Sequence, residues 1–173
     1  MLIALFSLIN ISLFMLHEFE EMIMVKPWIE AQKDNPAYQK EIFIQGRKHY
    51  PSTESIALMI GEEFLLVSLI SIIASICDLP ELALALLIGH LFHLLAHIGE
   101  WLRYRRFVPG SCTALLTFPI LVGDLLYFFL VRPVNGWLLL VLTPLVLVLI
   151  LANLRWLHRQ SEKIDHWIQR VVK

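Results

Sequence analysis

Long apolar runs, each close to the length of a bilayer crossing, alternate along this chain with short clusters of charged and turn-forming residues. They cover positions 2–25, 55–77, 82–102, 114–131 and 136–157. A spanning helix needs roughly 20 mostly apolar residues, so each run predicts one transmembrane helix. Lys26-Pro27, Asp78-Leu79-Pro80, Pro109-Gly110, Arg132-Pro133 and Asn135-Gly136 mark the expected breaks. Pro119 and Pro144 fall inside runs, where membrane helices tolerate a kink. A soluble amphipathic helix carries an apolar stripe on one face, whereas positions 138–151 are apolar all round. The expected fold is all-α: a polytopic membrane bundle of five transmembrane helices forming one integral membrane domain over 1–173.

Composition supports a bilayer and excludes other classes. Of 173 residues, 58% are hydrophobic and only 17% charged, against near half and a quarter in soluble domains. A net charge of −1 argues against nucleic acid as a partner. Every cation except Arg132 falls in segment 26–54, in the connection Arg103, Arg105 and Arg106, or in the tail from Arg155 onward. With five spans these segments share one side. The positive-inside rule then predicts an external amino terminus and a cytoplasmic carboxyl terminus, most simply in a prokaryotic inner membrane. The first run has no basic leader and ends in His17-Glu18-Phe19-Glu20-Glu21 rather than a small-residue cleavage site, so it is expected to remain as a span. Cys77 and Cys112 are expected at opposite faces, unable to bridge.

Outside the spans, segment 26–54 mixes Trp28, Ile29, Tyr38, Ile42 and Phe43 with charges. It predicts an interfacial amphipathic helix pair or a small cap over the bundle. The tail 158–173 reads as a similar interface anchor, with Ile164, Trp167, Ile168, Val171 and Val172 on one stripe. His49, His158 and His166 are expected to be ordinary surface residues.

Candidate chemistry lies within the spans, where ionisable side chains are costly and mark functional sites. His17, Glu18, Glu20 and Glu21 occupy the first, Glu62 and Glu63 the second, His90, His93, His97 and Glu100 the third, and Asp124 the fourth. At about 100° per residue, His17, Glu20 and Glu21 share an arc, and the third-span residues form one stripe. Depth agrees: His17, Glu62, Glu63 and His93 all fall roughly 5 Å or less from the midplane at 1.5 Å rise per residue. That many carboxylates at one level require cations or protons. Imidazole and carboxylate together suit a divalent metal, Zn foremost, with Fe or Mn as alternatives and one or two ions. The expected ligands are His17, Glu20, Glu21, Glu62, Glu63, His93 and His97. Glu20, Glu62 and Glu63 are the candidate general bases. Glu100 is as readily an ion-pair partner of Arg103, His90 a packed interior histidine, and Glu18 and Asp124 polar or proton-carrying residues.

The string His17-Glu18-Phe19-Glu20-Glu21 at the end of a first apolar helix resembles the motif that names the HXXEE-domain membrane protein family. His93-x-x-x-His97 resembles its second motif. Glu62-Glu63, Pro109-Gly110, Thr113 and Pro119 fit its layout, and the resemblance covers about residues 10–125. It implies a metal-dependent membrane enzyme without an established reaction. Because the pattern leaves position 18 open, it argues against Glu18 as a zincin-type base. Intramembrane CPBP-type proteases are similar in pairing Glu-Glu with later histidines, but Glu62-Glu63 lacks the nearby arginine of their motif.

Together these readings predict an intramembrane metal-dependent hydrolase acting on a lipid or membrane-inserted peptide. A di-iron oxidase or hydroxylase is the enzyme alternative, and a metal or proton transporter using the same cluster is the non-enzymatic one. Membrane lipids are the expected partners, and a homodimer is compatible with so small a bundle.

Overall fold

The structure is a computed structural model that describes residues 1–46 and 49–172. Arg47, Lys48 and Lys173, counted above among the cations of one side, lie outside the described residues. The described residues contain α1 (Leu2–Gln32), α2 (Thr53–Ile76), α3 (Pro80–Tyr104), α4 (Ser111–Val131), α5 (Gly136–Val171) and a 3-10 turn at Pro36–Tyr38. No strand occurs among them. All five helices are long and apolar enough to cross a membrane. This is the all-α membrane bundle expected from the apolar runs.

Consecutive helices alternate in direction because their connections gather at two ends. At one end Arg132 pairs with Asp78, and Glu81 accepts from the Asn135 backbone N–H at 2.7 Å. At the other, Arg103 reaches the Lys40 carbonyl, and His49 meets Asp165. The helix α3 is the hub, touching all four others; α4 lies against α1 and α3, and α5 against α2 and α3. Leu84, Leu87 and Leu94 of α3 are fully buried with Leu121 and Phe128 of α4, alongside Ile3 and Phe6 of α1. Only 6% of the most apolar stretch of α5 is buried. An uncovered apolar surface of this kind is suited to lipid tails rather than water.

Three local expectations change. Lys26-Pro27 does not end the first helix, which runs on to Gln32 with Pro27 inside it. Proline removes one backbone donor, and burial of Val25, Trp28 and Ile29 on either side holds the helix through it. Segment 26–54 is not a helix pair but the alternative cap: Tyr38 and Ile44 are buried against Trp28, Ile56, Met59 and Val108. The tail is not a separate anchor, because α5 continues to Val171. Its buried face is Leu157, Ser161 and Asp165 at four-residue spacing, while Trp167, Val171 and Val172 are exposed. Cys77 and Cys112 are free and exposed.

Candidate metal centre

Four side chains from α1 and α3 converge beside the start of α4. His17 and Glu21 are one turn apart on α1, and His93 and His97 one turn apart on α3, so each pair projects from a single helix face. One donor atom from each lies within 4.8 Å of every other. The Nε2 atoms of His17 and His93 are 3.0 Å apart. Glu21 Oε1 lies 2.8 Å from His97 Nε2, 3.6 Å from His17 Nε2 and 3.9 Å from His93 Nε2. The three rings meet edge to face, with centroids 4.7–4.9 Å apart and planes crossing at 68–88°. His17 and His97 are fully buried, and His93 keeps a third of its side chain open.

The Nδ1 atoms of His17 and His97 are committed elsewhere. His17 Nδ1 is 3.0 Å from Thr113 Oγ1, and that hydroxyl donates to Glu20 Oε2 at 2.6 Å. With its hydroxyl proton used this way, Thr113 accepts from Nδ1–H of His17. His97 Nδ1 donates to the Pro109 carbonyl at 3.0 Å. Both rings therefore hold a proton on Nδ1 and turn Nε2 toward Glu21. A histidine tied through one nitrogen in this manner is the usual arrangement of a metal ligand.

Backbone geometry makes room for these contacts. Gly110 caps α4 with φ +81°, in the left-handed region where glycine carries little strain. A Cβ there would stand 2.6 Å from His97 Nδ1 and 3.0 Å from His17 Cε1. Glu20 reaches the same helix start, accepting from the backbone N–H groups of Thr113 (2.6 Å) and Cys112 (3.3 Å). A carboxylate is favoured there by the open amides and the helix dipole.

The other candidates lie elsewhere. Glu20 is engaged with α4 rather than grouped with the four donors. Glu62 and Glu63 converge on α5 instead, each accepting from Asn153 Nδ2, at 2.6 and 2.9 Å. Glu18 is buried, with Oε1 3.6 Å from His93 Nε2. His90 is a packed interior residue whose Nδ1 meets Asn10 Oδ1 at 2.9 Å, and Glu100 pairs with Arg103 at 3.5 Å. Asp124, on α4, is outside the group. His49 is not an idle surface residue: its Nε2 is 2.6 Å from Asp165, which also accepts from Ser52 and Ser55.

Beside the four donors opens a cavity of about 590 Å³ between α1, α2, α3, α5 and the cap. Its walls are mainly apolar, with Phe14, Ile60, Val67 and Leu147 among them, and its polar points include Glu18, Glu21, Glu63, His90, His93 and His97, with Asn10 and His158.

Residues 8–123 match the family described as "Protein of unknown function with HXXEE motif". The chain belongs to this family. The matched region carries all four donors together with Thr113 and Gly110. No curated protein and no solved structure matches the chain.

The donor set fits a divalent ion. Glu21 Oε1 is buried with three imidazole nitrogens around it, at 2.8, 3.6 and 3.9 Å. Three nitrogens and one carboxylate oxygen match the ligand types of zinc, and of iron or manganese. Among the described residues this is the one group of three or more such side chains with that convergence, which favours a single ion.

Proposed function

We propose that this HXXEE protein is an intramembrane metal-dependent hydrolase whose substrate enters the cavity as a membrane lipid or membrane-inserted peptide. The observation that carries the reading is the junction of two unlike environments. A convergent His17, Glu21, His93 and His97 group forms one part of the wall of an apolar cavity of about 590 Å³. Cavities of roughly 300–1,000 Å³ with few polar points are typical small-molecule sites.

A divalent ion held by His17, Glu21, His93 and His97 would supply Lewis acidity at that wall. The chain's own residues do the rest. Thr113 and the Pro109 carbonyl orient two imidazoles, and Glu20 acts behind them as a positioning residue through Thr113. Glu18 lies on the cavity and beside His93, so among the described carboxylates outside the donor group it is best placed to take a proton from water there. Water's hydroxyl would then join the acyl carbon, the acyl C–O or C–N bond would break, and the proton would pass to the departing oxygen or nitrogen. Glu63, held with Glu62 by Asn153, forms a second polar point of the cavity. A two-metal oxidase is less well supported, because these two glutamates face Asn153 rather than the histidines.

The test is hydrolysis by protein reconstituted in lipid bilayers, using fluorogenic acyl esters and amides and a membrane-inserted peptide. Turnover is expected for at least one probe, abolished by chelation and by His97→Ala, and strongly reduced by Glu18→Gln. Turnover insensitive to chelation, or absent for every probe in metal-replete protein, would overturn the proposal.

A further inference from the structure

The cavity carries polar atoms that the metal group leaves unused, and they share one chemical character. His90 lines the cavity and is buried, with 7% exposed. Its Nδ1 donates to Asn10 Oδ1 at 2.9 Å, which leaves Nε2 as a bare acceptor, and Nε2 has no hydrogen-bond partner. Glu63, 8% exposed, also lines the cavity. Its Oε2 is held by Asn153, and its buried Oε1 has no partner. Glu18 adds a third acceptor on the same lining. Buried polar atoms ordinarily find partners, and each unsatisfied one is a feature to be explained.

A donating partner satisfies the bare nitrogen of His90 and the carboxylate form of Glu63 together. A carboxylate, a phosphate or an ester carbonyl offers only acceptors to these atoms and would be repelled by Glu18 and Glu63. Charge narrows the choice further. Glu18, Glu21 and Glu63 line the cavity with no Lys or Arg among the described residues around it. With Glu21 and the three histidines assigned to the metal, Glu18 and Glu63 remain without a Lys or Arg on the lining. Besides Asn10 and His158, the rest of the lining is mainly aliphatic and aromatic, matched to a hydrocarbon chain.

We infer that the cavity binds a single-chain amphiphile bearing a protonated amine, its N–H groups donating to Glu63 and His90 and its chain lying along Phe14, Ile60, Val67 and Leu147. This deepens the hydrolase reading and rests on it for the assignment of Glu21 and the three histidines to the ion. The amine would present a neighbouring acyl bond to the metal wall. An ammonium group buried against carboxylates is strongly held only where it is both paired and hydrogen-bonded.

The experiment uses purified full-length protein in phosphatidylcholine nanodiscs, with metal content measured on the same sample. Binding of tetradecylamine is compared with tetradecyltrimethylammonium, tetradecanol and tetradecanoate. Tetradecylamine is expected to bind about tenfold or more tighter than each of the others, a difference read directly as a ratio of Kd. Glu63→Gln is expected to weaken it by a similar factor. Tetradecanoate binding as well as the amine would overturn the inference. So would an equal trimethylammonium Kd, which removes the need for N–H donation, or an equal alcohol Kd, which removes the need for charge. An unchanged Kd in Glu63→Gln would overturn it as well. Because the four ligands are compared on unaltered protein, the result does not depend on how any variant folds. Amine binding in a sample without metal would preserve this inference and count against the hydrolase reading alone.

Discussion

His17 and His93, carried by separate helices and 76 residues apart in the chain, meet Nε2 to Nε2 at 3.0 Å. The contact is unfavourable unless something lies between the two lone pairs. In its neutral form His17 holds its proton on Nδ1 against Thr113, and its Nε2 then cannot donate. A proton on His93 would satisfy one such contact. It would leave unexplained why Glu21 and His97 point to the same place. A cation satisfies all four together.

The Thr113–Glu20 link should tune that cation without touching it. In Thr113→Val the ring of His17 loses the acceptor that fixes its orientation. Partners of this kind typically change metal affinity by about 10–100-fold. Competition with a metal-sensitive chromophore should give a loss in that range, with Glu20→Gln intermediate because it retains an acceptor. Unaltered affinity in Thr113→Val would remove the link from the account.

Gly110→Ala should be the most damaging single-methyl addition near the site. The new Cβ meets His97 Nδ1 at 2.6 Å, and the backbone is held at φ +81°. The left-handed conformation alone costs roughly 1–2 kcal/mol for a residue with a Cβ, and the clash must also move His97. Lower thermal stability and weaker metal binding should appear together. Gly123→Ala, whose Cβ would meet no atom within 4 Å, is the control.

Glu41 gives the cap a pH dependence of calculable sign. Its side chain is buried in the cap, with Oε2 accepting from the Phe43 backbone N–H at 2.8 Å. Burial, aided by nearby Glu100, pushes its carboxyl up to about 7. The folded state therefore holds a proton that the unfolded chain releases near 4.5. Protons bound in the folded state exceed those in the unfolded one across this window, so stability falls as pH rises from about 4.5 through 7. Thermal unfolding between pH 5 and about 8 should show this decline in the wild type and a flatter profile in Glu41→Gln.

Asp165 should act as the fastener between cap and α5. It accepts from Ser52, Ser55 and His49. In Asp165→Ala these donors lose a charged acceptor, each such bond being worth on the order of 1.5–3 kcal/mol. Hydrogen exchange should rise at residues 49–55 and 158–172 while metal content stays unchanged. Faster exchange at the metal group instead would mean that the two regions are coupled.

The bundle and its polar stripe were legible because both follow from local rules. Apolar runs give the helices, and four-residue spacing puts His17 with Glu21 and His93 with His97. What pairs with them was not legible. An arc treats Glu20 and Glu21 alike, and only the position of the α4 amino terminus separates the one that caps a helix from the one that meets the histidines. Glu62 and Glu63 have a suitable depth but face Asn153. A lone asparagine inside an apolar run, like Asn10 in α1, was the available signal for both polar contacts. The role of Gly110 depends on a close approach between loop and rings, and no spacing rule reveals it. The continuation of α5 into the tail was not legible, because the buried face of that stretch, Leu157, Ser161 and Asp165, is polar at two positions of three and breaks the apolar pattern.

The most direct test of the metal centre is the metal content of the purified protein, measured by elemental analysis after reconstitution with zinc, iron and manganese in turn. About one divalent ion per chain is expected, the complement of a single four-donor site. His17→Ala, Glu21→Ala, His93→Ala and His97→Ala should each lose it, while Glu62→Ala should retain it. A wild type that holds no ion, or a variant lacking all three histidines that holds as much as the wild type, would contradict the account.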